Sequence, residues 1–292
     1  MVEQPASSGL RLVIFNNLPP AYRIVASWAA EAGHTVALVV TSPGPSARRS
    51  TGYQTIAAQA PPEHDVLVTT RLRRVALPLI AALAPDLIIS MTFPHRLPPE
   101  ILRIPRLGAI NLHPTALPAY RGPNPMRVFY DGATIGATLH WMDAEFDTGP
   151  ILCQQTAPFP EDATTEALLG TWGPLMSATL AEGATRAIAG EPGQQQDERG
   201  ASYSPEFTEE EHWLDWDLPQ RIVQRRHSGL SIFGPQAKAL IEGQPWRIMR
   251  LTPLGEGTAT AQAGTIIEQT PESLVIAVAD GAVRVVVTPL EG

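Results

Sequence analysis

Short runs of β-forming residues, mostly apolar along their whole length, recur through the first half of this chain: Leu10 to Phe15, Thr35 to Val40, Asp65 to Val68, Leu87 to Ile89, Gly108 to Leu112 and Ala137 to Met142. A strand that is apolar on both faces must be covered on both, which an isolated hairpin or a half-exposed sheet cannot do. Helical patterns separate the runs. Ala21 to Ala32 puts Ile24, Val25, Trp28 and Ala32 on one face and stops at Gly33, and further helices are expected around Val75 to Ala84, Pro99 to Ile104 and Pro125 to Tyr130. Pro43 to Gln59 reads as a loop carrying Arg48 and Arg49. Strand, helix and strand at this spacing define βαβ units, so the expected fold is α/β, a doubly wound, mostly parallel sheet. Ligands of such sheets sit beyond the carboxyl ends of the strands.

Thr165 to Ala189 reads as one or two helices broken near Gly173-Pro174, and Glu191 to Ser204 is polar and rich in turn formers. A helix is expected from near Asp217, carrying Ile222 and Val223. Short β-type runs follow at Ala237 to Ile241, Trp246 to Leu251, Gly264 to Glu268, Leu274 to Val278 and Val283 to Thr288, with turn signals at Glu242-Gly243 and Asp280-Gly281. That density of short strands points to a small all-β barrel or sandwich. The expected organisation is a flexible terminus at 1–9, a catalytic domain at 10–190, a linker at 191–204 and a C-terminal β domain at 205–292.

Composition removes several classes. The 292 residues include one cysteine, Cys153, so an internal disulfide and CxxC-type metal sites are both excluded. The residues from Met1 to Gly9 lack the basic and apolar regions of a signal peptide, and no apolar run approaches the ~18 residues that span a bilayer. A soluble, cytoplasmic protein is expected. The formal charge is −8 and Lys238 is the only lysine, a poor basis for gripping a phosphate backbone. No GxGxxG follows the first strand, and GxxxxGK[ST], HExxH and GxSxG are absent.

The chemistry concentrates in Gly108 to Leu152. One strand delivers Asn111 and His113 to its end, the next delivers His140, and the turn beyond holds Asp147. If the two strands are neighbours, the four groups converge. Asn and His donate to an oxygen as it becomes anionic, and a carboxylate fixes the His protonation state and accepts a proton. No Ser or Cys pairs obviously with the His, which favours direct attack by an amine or water over a covalent acyl-enzyme. Singly, each residue also has a plain structural use: His113 in a turn, Asp147 as an Asx residue, His140 in a packed core, Arg121-Gly122 as loop chemistry.

In combination they resemble the folate-dependent formyltransferases, a family acting on methionyl-tRNA, glycinamide ribonucleotide and aminosugars. The matching elements are Asn111-Leu112-His113-Pro114, Leu117-Pro118 with Arg121-Gly122-Pro123, and Asp143 with Asp147-Thr148-Gly149. Weaker likeness extends over Asp86 to Pro98, and over Leu214-Asp215-Trp216 and Glu242 to Pro245. The resemblance implies a Rossmann-like catalytic domain followed by an OB-like one, and 10-formyltetrahydrofolate as formyl donor. It implies Asn111, His113 and Asp147 as catalytic residues. Ser90, Met91, Thr92, Phe93, Asp143, Glu145 and Phe146 would hold the donor, and Arg121, Gly122 and His140 would lie on the substrate side. No metal is implied.

The acceptor is read from departures. From Ala201 onward seven Arg or Lys face twelve Asp or Glu, about −5 for this part. Position 119 is Ala, where the tRNA enzymes commonly have Arg before an aromatic. A small-molecule amine or hydroxylamine is therefore expected, such as an aminosugar nucleotide or an N-hydroxy-ornithine. Methionyl-tRNA is the runner-up, because Arg221, Arg225 and Arg226 share one segment. Hydrolysis of the donor by water is a further alternative. Trp213 and Trp216 are either a binding face or core anchors.

Overall fold

A computed structural model of the chain describes residues 9–43, 52–258 and 261–290. Most of the expected flexible terminus and the pair Arg48 and Arg49 lie outside the described residues. The described residues group into two compact units, one within 1–122, 136–156 and 173–203, the other within 123–135, 157–172 and 204–292.

Seven strands make the first sheet: β1 (Arg11–Asn16), β2 (Thr35–Thr41), β3 (Val66–Val68), β4 (Leu87–Met91), β5 (Ala109–His113), β6 (Ile135–Trp141) and β7 (Ile151–Ala157), in the order β3-β2-β1-β4-β5-β6-β7. β1 pairs in parallel with both β2 and β4, and β4 with β5, whereas β5 and β6 are antiparallel. Helices α1 (Pro19–Glu31), α2 (Gly52–Gln59), α3 (Leu77–Leu83) and α4 (Pro99–Leu102) fall between these strands in the chain. The doubly wound α/β expectation holds. Leu12 to Phe15 are fully buried, and Val13, Phe15, Leu38, Val40 and Ile88 pack on Leu72, Ala76, Ile80, Phe93 and Ile101, which explains the unbroken apolar strands.

Three local readings differ. α2 lies inside the stretch read as a loop; only Ile56 of it is fully buried, too weak a period to register in the sequence. The helix expected from Val75 begins as a π-helical turn over Leu72–Ala76 before α3. Gly173-Pro174 does not break its helix: α6 (Thr165–Ile188) runs through Pro174. Gly170, whose carbonyl loses its helical partner at Pro174, is exposed.

In the second unit α5 (Arg127–Asp131) and α7 (Gln220–Ser231) accompany five strands: β8 (Lys238–Ile241), β9 (Gln244–Glu256), β10 (Ile266–Gln269), β11 (Leu274–Val278) and β12 (Gly281–Pro289). They pair antiparallel in the order β10-β11-β12-β9-β8. Glu242 and Gly243 both take positive φ (50° and 74°), the signature of a primed hairpin turn. Asp280-Gly281 works differently. Gly281 already pairs with Val278, and a Cβ there would fall 2.4 Å from the Gly255 carbonyl, so the glycine permits a close backbone approach. Trp216 is a core anchor, buried among Leu214, Val223, Ile241 and Ile276 with its indole N–H on the Leu240 carbonyl at 2.9 Å; Trp213 is half-buried under the Lys238 ammonium.

The core of this unit includes an acid-sensitive group. Burial pushes His227 of α7 down to about 4 from an ordinary 6.5. Between those values the unfolded chain binds a proton that the folded chain refuses, so this stabilisation is complete above pH 6.5 and lost as pH falls toward 4, on the order of 3 kcal/mol in all. His227→Gln is expected to flatten the fall in melting temperature between pH 7 and pH 4.5. Equal slopes for the two chains would remove His227 from the account.

Candidate active site

β5 and β6 are neighbours, and the register sets Asn111 directly opposite His140 and His113 opposite Thr138. Residues two apart on a strand share a face, so Asn111 and His113 point the same way from the end of β5. The chain leaves β6 through a turn held by Asp143, whose carboxylate accepts the Glu145 N–H at 3.1 Å and the Thr148 hydroxyl at 2.7 Å. Asp147 follows at φ 58°. Gly149 then passes so close that a Cβ would lie 1.9 Å from the Trp141 carbonyl; only glycine lets the turn fold back over the strand end.

This brings three side chains onto one carboxylate oxygen. Asp147 Oδ1 accepts from Asn111 Nδ2 at 3.2 Å and lies 3.4 Å from His113 Nδ1 and 3.6 Å from His140 Nε2. Its Oδ2 accepts the Gly122 N–H at 2.9 Å. His140 Nδ1–H donates to the Trp141 carbonyl at 2.7 Å, which leaves Nε2 to accept from Asn111 at 3.1 Å. Both N–H groups of the Asn111 amide are thus engaged. His113 Nε2 donates to the Tyr120 carbonyl at 2.9 Å.

Asp147 and His113 are both buried. Burial pushes the Asp147 carboxyl up, but His113, His140 and the Gly122 N–H more than offset it and hold the group well below the usual carboxylate range. Burial pushes His113 down, against the opposing pull of Asp147 and the Tyr120 carbonyl. The resting pair is an ionised Asp147 beside a neutral His113. Cys153 is no competing nucleophile: burial raises its thiol to about 11.

The other expected residues divide. Ser90 of β4 is buried and pairs in register with Asn111. Met91 ends β4, and Thr92 takes φ 58°, rare for a β-branched residue. Thr92 Oγ1 and His95 Nε2 are buried without a hydrogen-bond partner, while Phe93 packs into the core. Glu145 pairs with Arg96 at 3.0 Å, and the same guanidinium lies 5.9 Å over the exposed Phe146 ring. Arg121 is directed inward: it is 1% exposed and held by Gln196 and Glu198. Gly122 enters through its backbone N–H. Gln196 and Glu198 went unnoticed in the sequence, because they stand in the polar stretch that composition marks as a linker.

The chain belongs to the formyl transferase family: residues 11–171 match the formyl transferase domain and residues 206–292 the formyl transferase C-terminal domain. It is 33% identical over 261 residues to methionyl-tRNA formyltransferase of Enterococcus faecalis, covering 87% of this chain and 82% of that one. Its likeness to methionyl-tRNA formyltransferase of Thiobacillus denitrificans is 32% over 276 residues, covering 92% and 89%. Among solved structures, HypX from Aquifex aeolicus superposes with a TM-score of 0.72 at 18% identity, over 95% of this chain and 45% of that one. The N-formyltransferase from Helicobacter canadensis, in complex with folinic acid and dTDP-3-aminofucose, superposes with 0.64 at 16% identity, over 95% and 98%. Both structural matches speak to the fold. Among the described residues no helix is long and apolar enough to cross a membrane.

Proposed function

We propose that this enzyme transfers a formyl group from 10-formyltetrahydrofolate to the amine or hydroxylamine of a small-molecule acceptor. The observation that carries the reading is the buried cluster in which Asn111, His113 and His140 meet an ionised Asp147 at the end of β5. The acceptor nitrogen attacks the formyl carbon directly. Asn111 donates to the oxygen as it becomes anionic, joined by His113 when its Nε2–H turns from the Tyr120 carbonyl. Asp147 takes up the proton that the acceptor loses. The tetrahedral intermediate then collapses: the bond from the formyl carbon to N10 breaks, the proton passes to N10, and tetrahydrofolate leaves. Because both Asn111 N–H groups are engaged at rest, the donor's formyl oxygen takes the place of one of these partners. The unpartnered Thr92 Oγ1 and His95 Nε2 suit the polar edge of a pterin, with Ser90 to Phe93 and the 143–147 turn as its walls. His140 acts as support for the Asn111 amide.

The small-molecule acceptor is favoured by how the cations of the C-terminal part are used. Lys238 is paired with Glu209, Arg284 lies 3.7 Å from Glu268, Arg247 donates to the Pro235 carbonyl, Arg225 donates to the Tyr130 carbonyl and Arg226 stacks 5.2 Å from the Tyr130 ring. Few remain to meet the phosphates of a nucleic acid. Methionyl-tRNA is the second reading, favoured by the relatives from Enterococcus and Thiobacillus. The deciding experiment offers the enzyme 10-formyltetrahydrofolate with dTDP-aminosugars, N-hydroxy-ornithine or methionyl-tRNA, with mass spectrometry watching for the gain of one formyl group. Formylation of a small amine without salt-sensitive tRNA binding supports the first reading. Formylated methionyl-tRNA replaces it with the second. Donor turnover with no acceptor present makes the enzyme a hydrolase.

A further inference from the structure

The left-handed backbone at Asp147 needs something to hold it, and the holding groups come from far along the chain. Gln196 Nε2 donates to the carbonyls of both Asp147 and Gly149, each at 2.8 Å. Gln196 Oε1 accepts from Arg121 Nη2 at 2.7 Å and Nε at 3.2 Å, and Glu198 takes the rest of that guanidinium at 2.8 and 3.0 Å. Arg121 itself is almost wholly buried. A few residues on, Ser202 accepts the Tyr120 N–H on its hydroxyl and the Arg121 N–H on its carbonyl, both at 2.9 Å, and its own N–H donates to the Pro118 carbonyl at 3.2 Å.

The loop fixed in this way supplies the remaining partners of the reacting pair. The Tyr120 carbonyl faces His113 Nε2, and the Gly122 N–H faces Asp147 Oδ2. We propose that the Gln196–Tyr203 segment is a positioning strap, in which Gln196 sets Asp147 and Ser202 sets the loop that faces His113. This rests on the reading of Asp147 and His113 as the reacting pair. Composition marks the segment as a connector; its contacts make it part of the scaffold of the active site, although none of its side chains touches the reacting atoms.

A second consequence separates positioning from mere packing. His113 lies between two acceptors, the Tyr120 carbonyl and Asp147 Oδ1, while a neutral imidazole carries a single N–H. Its charge state therefore responds to where those two oxygens stand. His140 Nε2 and the Asn111 amide complete the polar groups around the same carboxylate. A loosened strap weakens both pulls on the ring and lets burial dominate.

The test uses the full chain and three variants. Gln196→Leu removes the amide that donates to two carbonyls without adding charge, Ser202→Ala removes one support of the loop, and Gln195→Leu makes the same change at an exposed neighbour. His113 is titrated by NMR of its ring, melting curves verify folding, and formyl transfer is measured with the acceptor found above. In folded Gln196→Leu the His113 midpoint falls by about half a pH unit or more. Its kcat drops roughly tenfold or more, while KM for 10-formyltetrahydrofolate stays within about twofold. Ser202→Ala moves His113 in the same direction with a smaller loss of kcat, and carries the test if Gln196→Leu does not fold. Gln195→Leu matches the native chain. Folded strap variants with native titration and native kcat overturn the proposal, as does a loss of kcat with His113 unmoved. A native chain that formylates nothing defeats the functional reading instead, and the titration still decides the strap.

Discussion

Asp147→Asn is expected to lower kcat for formyl transfer by roughly 10³-fold, the middle of the range for loss of a positioned proton acceptor. The substitution is chosen over alanine because Asp147 sits at φ 58°, a conformation that Asn tolerates and Ala resists. The turn should therefore keep its shape. What changes is charge and valence: one carboxylate oxygen that accepts from Asn111 and faces two histidines becomes either a neutral carbonyl or a competing N–H donor. With the negative charge gone, His113 loses the main group that favours its protonated form, and the proton from the acceptor has no nearby anion to receive it. Melting and donor binding should stay close to native. Turnover within tenfold of the native enzyme would remove Asp147 from the chemistry.

Asn111→Ala is expected to cost about 2.7–4 kcal/mol of transition-state stabilisation, or ~10²–10³ in kcat, the usual consequence of deleting one donor to a developing oxyanion. The backbone of Asn111 is held in register by β4 on one side and β6 on the other, so the strand survives the truncation. The side chain is only half-buried, which limits the void it leaves. Its loss also frees His140 Nε2 from the Asn111 amide. The signature to look for is a kcat effect with little change in KM for the donor; a purely KM effect would mean that Asn111 binds the ground state and does no more. Combined with Asp147→Asn the two losses should fall well short of multiplying, because both residues act on the same cluster.

Individual residues show why parts of this site were legible in the sequence. Asn111 and His113 are two apart on a strand, so period-two alternation alone puts them on one face. Asp147-Thr148-Gly149 reads as a turn, and Gly149 is glycine for the reason the structure gives, a backbone carbonyl where a Cβ would be. The second unit was equally readable, since its strands are short, rich in β formers and punctuated by a positive-φ turn at Glu242-Gly243. Arg121 was not legible. A basic residue before glycine in a loop looks like a ligand contact, and nothing local records that Gln196 and Glu198 wait 75 and 77 residues on to bury it. α2 escaped for the opposite reason, having a single fully buried residue to mark its period.

The sequence by itself determined the sheet and the residues at its carboxyl end, because these follow from short-range periodicity, and its resemblance to the formyltransferases supplied the class of reaction. The tertiary structure alone decided which of those residues meet on one carboxylate, which face inward, and that a stretch composed like a linker holds the Asp147 turn. Those facts rest on hydrogen bonds between segments dozens of residues apart, and a buried polar group must find its partner wherever the fold supplies one.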